Sequence, residues 1–185
     1  MAVRDTIRQS ARSRPVAVTA ALSVVGYGRR DVESWLDSHE ASERITFAVQ
    51  DDQLGTGHAV WAAESYLRDG PEYTLITYGD VPLIKGETLE AFVQTVHDSG
   101  RPLGVMTARV DDPSGYGRIL RRDDGDVFGI VEETDTNPQQ AEIDEINAGL
   151  YVARTDFLLE ALPQIIDGSP DNAQDEYYLT DLVEI

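Results

Sequence analysis

Ile45-Thr46-Phe47-Ala48-Val49-Gln50-Asp51-Asp52-Gln53-Leu54-Gly55-Thr56-Gly57-His58-Ala59-Val60 is the stretch that decides the fold. Ile45–Val49 is a short apolar run, rich in branched and aromatic side chains, which suits a strand better than a helix. A polar, Gly-bearing loop closes it. Thr56 or the flanking glycines then open a helix to Leu67, with Val60, Ala63 and Leu67 at helical spacing. Strand, loop and helix in that order make a βα unit. Open α/β sheets bind ligands beyond the carboxyl ends of such strands. Gly55 and Gly57 are expected to let a ligand approach the backbone, and N–H groups at a helix start suit an anion or a base carbonyl. A plain helix cap explains the same residues equally well. The loop is neither a P-loop nor a dinucleotide fingerprint, because Lys-Ser/Thr and a third Gly are missing.

The same alternation extends outward. Upstream, Leu22–Val25 reads as a strand closed by Gly26 and Gly28, and Asp31–Leu36 as a helix capped by Asp31. Asp5–Arg12 is expected to form a short polar helix. Downstream follow a strand at Tyr73–Tyr78, a helix from Gly86 through Val96, and a strand at Leu103–Val110. The pattern then changes. Tyr116–Arg121 and Val127–Val131 flank Asp123-Asp124-Gly125-Asp126, a hairpin signal. Glu145–Val152 reads as a strand, Thr155–Leu162 as a helix, and Glu176–Ile185 as the start of another. Asp135–Gln140, with Asn137-Pro138, is the candidate mobile loop. The alternation predicts an α/β fold: a mixed, mostly parallel sheet covered by helices on both faces, with a β-hairpin-bearing subregion. The whole of 1–185 reads as one domain.

Composition excludes several function classes. The chain has no cysteine, so disulfides and thiolate chemistry are out, and a cytoplasmic location is expected. Its net charge of −19 repels nucleic acids and anionic lipid, so neither is an expected partner. No apolar run approaches the ~18–20 residues of a membrane helix. The apolar stretch Val16–Val25 contains Thr19 and Ser23 and ends in Gly26-Tyr27-Gly28, which favours a buried strand over a leader. The three histidines lie at no zinc spacing, and no serine sits in a nucleophile elbow.

Candidate ligand-binding residues cluster at strand ends. Asp80, in Tyr78-Gly79-Asp80-Val81-Pro82, is either a turn residue or a hard-oxygen ligand for Mg²⁺. Gly117 can present backbone to a ligand. Glu132 offers an acceptor and Asn147 both a donor and an acceptor, which suits sugar hydroxyl and amide groups. Taken singly, the segments of Gly117, Glu132 and Asn147 are better read as strand ends with exposed polar residues.

In order and wording, these segments are recognisable together. Gln50–Val60, Tyr78–Leu83, Asp111–Ile119, Gly129–Glu132, Glu145–Gly149 and Asn172–Asp181 together resemble the uridyltransferase domain of bacterial bifunctional N-acetylglucosamine-1-phosphate uridyltransferases, from about residue 24 to the end. The resemblance implies a Rossmann-like nucleotidyltransferase fold. The implied reaction joins UTP and N-acetylglucosamine 1-phosphate into UDP-N-acetylglucosamine, a cell-wall precursor, with release of pyrophosphate. Gln50, Gly55 and Thr56 would contact the uridine. Asp80 would bind Mg²⁺. Tyr78 and Gly79 would line the site beside it, and Gly117, Glu132 and Asn147 would hold the acetylated sugar.

There are departures. The family opens with a βα unit whose Gly-Thr-Arg-Met loop cradles the triphosphate, and Met1–Arg30 holds nothing similar. A metal-completing Asn of the family falls beyond Ile185, and Thr134 stands where a Lys is often seen. The expectation is therefore a domain truncated at both ends, weak or inactive by itself. The alternatives are a non-catalytic nucleotide-sugar-binding or interaction module, and a pyrophosphorylase for another sugar 1-phosphate.

Overall fold

The computed structural model describes residues 21–37, 45–81 and 83–185. The helix expected at Asp5–Arg12 lies outside them. Strand β1 (Ala21–Val25) leads into α1 (Arg29–Asp37) and strand β2 (Ile45–Val49). The helix expected over 56–67 is two pieces, α2 (Thr56–Trp61) and α3 (Glu64–Leu67). The break sits at Ala63, whose φ of −91° and ψ of 0° leave the helical well. Strand β3 (Tyr73–Thr77), helix α4 (Gly86–Ser99) and strand β4 (Leu103–Arg109) follow, then the hairpin β5 (Arg118–Arg121) and β6 (Val127–Val131). Strand β7 (Glu145–Arg154) and helix α6 (Thr155–Ile166) come after the short helix α5 (Pro138–Ala141).

The α/β class holds, and the described strands form two sheets, β1 with β2 and β3 to β7 together, with fewer parallel pairs than expected. β1 and β2 pair in parallel, whereas β7 pairs antiparallel with β3, β4 and β5. β3 and β4 lie on opposite sides of β7, since both pair with Tyr151, Val152 and Ala153. The βα alternation does set β3 and β4 in the same direction. β7, which arrives later in the chain, is inserted between them and runs the other way. Periodicity reports which residues face the core, not which strand becomes the neighbour.

Helices cover both faces, as expected. Leu103, Val105, Tyr151 and Ala153 point to a core built with α6, whose Leu158, Ala161, Leu162 and Ile165 recur at helical spacing. Burial of each large apolar side chain there contributes about 1.5–3 kcal/mol. Gly104 points to the opposite face, where an added Cβ would lie 2.2 Å from Val96 of α4. At the other end of β7, Glu145 accepts from Arg121 Nη2 at 2.6 Å and from Thr107 at 2.8 Å. These contacts hold its carboxyl below the usual range, with the Arg121 bond the largest cause.

Two expectations are corrected. The stretch 135–140 is not a bare loop: a 3-10 turn at Glu133–Asp135 precedes α5, and Asn137 and Gln140 form a capping box at its start. The chain end is not an α-helix. Tyr177 and Tyr178 precede a 3-10 turn at Leu179–Val183, because the Tyr177 backbone is bonded to the loop after β2.

Candidate functional site

The loop after β2 is built on the chain's own backbone. Tyr177 N–H donates to the Leu54 carbonyl at 2.8 Å, and Gly57 N–H donates to the Tyr177 carbonyl at 2.8 Å. A Cβ on Gly55 would lie 2.5 Å from Tyr177 O, and one on Gly57 3.0 Å from the same atom. The glycines therefore admit Tyr177 as their close neighbour, where a ligand was expected. Thr56 Oγ1 accepts from Leu179 N–H at 2.9 Å, fastening the helix start to the 3-10 turn. Gln50 Nε2 donates to the Gly55 carbonyl at 3.1 Å and faces His58 Nδ1 at 3.1 Å. An amide nitrogen only donates, so Nδ1 accepts and the His58 proton sits on Nε2. Among the described residues no donor meets the Gln50 side-chain carbonyl oxygen, which can accept a further hydrogen bond.

At the end of β3 the chain presents alternate residues to different surroundings. Tyr78 turns inward, while Gly79 and Asp80 are exposed. Burial raises the Tyr78 pKa, with the Tyr151 and Thr56 hydroxyls opposing it, and the Tyr78 ring lies against Gly149. Asp80 lies close enough to Tyr78 for its charge to be felt there. Among the described residues no group of three or more His, Asp or Glu side chains is placed to hold a metal ion. One exposed carboxylate fits a hard cation that takes its remaining oxygens from phosphates and water. It does not fit an all-protein cage.

The residues expected on the sugar side do come together. Asn147 N–H donates to the Gly117 carbonyl at 2.8 Å. A Cβ on Gly117 would lie 3.1 Å from Glu132 Oε2, so glycine is what lets this carboxylate stand against the backbone. Burial is the main cause raising the Glu132 pKa, with Asp135 and Asp181 adding to it and Thr180 opposing it. The Thr180 hydroxyl is buried beside that carboxylate without a fully formed hydrogen bond. Partial burial and then Glu184 push Asp181 up to about 6. Thus Gly117, Glu132 and Asn147 form one group by direct contact, with Tyr78 packed at Gly149 beside it. Gln50 and Gly55 lie at its loop edge, and Gly79 and Asp80 at its open edge.

Several of its parts were not identified individually in the sequence. Tyr151 is fully buried, with its hydroxyl 2.6 Å from Asn147 Nδ2. Arg118 is buried behind Gly117, paired with Glu133 at 2.6 Å and bonded to the Tyr116 carbonyl. Tyr177 braces the loop from more than a hundred residues away, and no spacing rule reaches that far.

The chain belongs to the nucleotidyl transferase family, whose model matches residues 15–181. It is 40% identical over 183 residues to a "Bifunctional protein GlmU" of Latilactobacillus sakei, covering 99% of this chain and 37% of the relative. It is 50% identical over 139 residues to the protein of that name from Geobacter sulfurreducens, covering 75% and 29%. The chain thus spans about a third of the length of the curated relatives it matches. Among solved structures, an apo UDP-glucose pyrophosphorylase matches with TM-score 0.69 at 15% identity, over 98% of this chain and 72% of that one. HddC from Yersinia pseudotuberculosis matches with TM-score 0.60 at 18% identity, over 97% and 68%. These structural likenesses support the fold. Among the described residues, no helix is long and apolar enough to cross a membrane.

Proposed function

We propose that this chain is the sugar-nucleotide-binding body of a uridyltransferase that joins UTP to N-acetylglucosamine 1-phosphate. The observation that carries the reading is the grouping of Gly117, Glu132 and Asn147 by direct contact, with Tyr78 packed beside them at Gly149. A phosphate oxygen of the sugar phosphate attacks the α-phosphorus of UTP. The bond to the β-phosphate oxygen breaks and pyrophosphate leaves, with no covalent enzyme intermediate.

The residues divide the work. The free carbonyl oxygen of Gln50 suits the imide N–H of uracil, and Gly55 and Thr56 shape the loop beside it. Gly117, Glu132 and Asn147 offer the sugar a backbone surface, an acceptor, and a mixed donor and acceptor. Tyr78 and Gly79 close the space between base and sugar. Asp80 would hold Mg²⁺, which when bound neutralises charge on the phosphates. In a chain of net charge −19 two polyanions need that help to meet. Alignment of the two substrates is the main service such a site gives. A cytoplasmic location fits this chemistry, since both substrates are soluble phosphates.

Calorimetry with UDP-N-acetylglucosamine, UDP-glucose and UDP tests the reading. The acetylated sugar nucleotide is expected to bind at least tenfold more tightly than UDP-glucose, and the difference to vanish in Asn147→Ala. Equal affinities would point to another sugar phosphate, and no binding of any of the three would overturn the reading.

A further inference from the structure

β7 is not regular where it matters. Val105 of β4 pairs with Tyr151 and Thr107 with Asn147, so one residue of β4 stands opposite Ala148, Gly149 and Leu150. The extra residues form a bulge around Gly149, which takes φ +73°. An undistorted strand would hold residues four apart about 13 Å from each other. The bulge brings Asn147 Nδ2 to 2.6 Å from the Tyr151 hydroxyl. It also makes room for the Tyr78 ring, which a Cβ on Gly149 would meet at 2.6 Å.

Hydrogen-bond direction at Asn147 follows from a backbone N–H group. Gly149 N–H donates to Asn147 Oδ1 at 3.0 Å, which fixes the amide so that its nitrogen faces Tyr151. The Tyr151 hydroxyl accepts from that nitrogen, so both ends of the Asn147 amide are held from within β7 and its second N–H is left for a ligand.

We propose that Tyr151 is a positioning residue of this site: its hydroxyl, together with Gly149 N–H, fixes the Asn147 amide so that the remaining amide N–H is presented to an acceptor oxygen of the bound sugar nucleotide. The ligand part rests on the uridyltransferase reading above. Tyr151 itself is fully buried and touches no ligand. It acts through Asn147, at the bulge that also seats the Tyr78 ring.

The test is Tyr151→Phe in the full chain, with two readouts. In calorimetry, UDP-N-acetylglucosamine is expected to bind about 5- to 20-fold more weakly, the loss of about one to two hydrogen bonds, and UDP to change less than about twofold. The double variant Tyr151→Phe/Asn147→Ala is expected to bind no worse than Asn147→Ala, as coupled residues do. Equal weakening of both ligands, or full additivity, would overturn the proposal in favour of a structural role. Without ligand, the Asn147 side-chain amide signals in nitrogen-15 NMR are expected to shift and lose exchange protection in Tyr151→Phe. Unchanged signals would overturn the positioning role whether or not the wild type binds. If the wild type binds no UDP-N-acetylglucosamine while the Asn147 signals respond, the uridyltransferase reading fails and the positioning of Asn147 stands. Should Tyr151→Phe not fold, Asn147→Asp, which has no amide N–H to give Tyr151, tests the same contact: wild-type affinity for UDP-N-acetylglucosamine would overturn it.

Discussion

Gly55→Ala is expected to lower stability by about 2–4 kcal/mol and to weaken UTP binding at least tenfold. Gly55 has φ +111° and ψ 176°, a region open essentially to glycine alone. Forcing a side chain there costs of order 1–3 kcal/mol. The new Cβ would also sit 2.5 Å from Tyr177 O and 2.8 Å from Tyr177 N, atoms of a backbone that cannot swing aside as a side chain could. Overpacking of this kind costs typically 1–3 kcal/mol. Relief requires the loop to move away from Tyr177, which breaks the Tyr177–Leu54 and Gly57–Tyr177 hydrogen bonds and pulls Thr56 from Leu179. Stability and binding therefore fall together. In a chain of this length the melting temperature should drop by about 4–16 °C, read by thermal denaturation. A variant with wild-type Tm and UTP affinity would show that Tyr177 does not set the loop.

Asp80→Ala is expected to behave in the opposite way, leaving the fold intact while removing the benefit of Mg²⁺. Asp80 is exposed, and a surface change of this kind stays within about 0.5 kcal/mol. In the wild type, Mg²⁺ should tighten UTP binding by about 10- to 100-fold. In Asp80→Ala, titrations with and without Mg²⁺ should give the same affinity within about threefold. Asp80→Asn keeps an oxygen but loses the charge, and should fall between them. An undiminished Mg²⁺ effect in Asp80→Ala would place the cation elsewhere.

The elements were legible where local pattern decides them. Ile45–Val49, Tyr73–Thr77 and the hairpin around Gly125 follow from short apolar runs bounded by turn residues. The place of β7 was not, because an inserted antiparallel strand carries the same apolar pattern as a parallel one. Within the site, Glu132 and Asn147 could be picked out as polar residues at strand ends, yet the Asn147 amide is fixed by Tyr151 and Gly149. Tyr151 carries no individual signal within its strand: its ring lies in the core with α6, and its hydroxyl reaches Asn147. Gly149 inside a strand was the available signal, since such a glycine marks a bulge or a close approach. Gly55 and Gly57 raised the right expectation of closeness, and the close partner proved to be Tyr177.

The central claim is that the loop after β2 and the sugar-facing end of β7 are one binding site. Backbone hydrogen exchange of the full chain, with and without saturating UDP-N-acetylglucosamine, tests it most directly. The account predicts slower exchange at residues 50–58, 78–80, 117–118, 132–133 and 145–151 together, with little change along α1. Slowing confined to the concavity of Gly28, Arg29, Arg30, Asp31 and Glu33, or confined to one side of Tyr78, would contradict it.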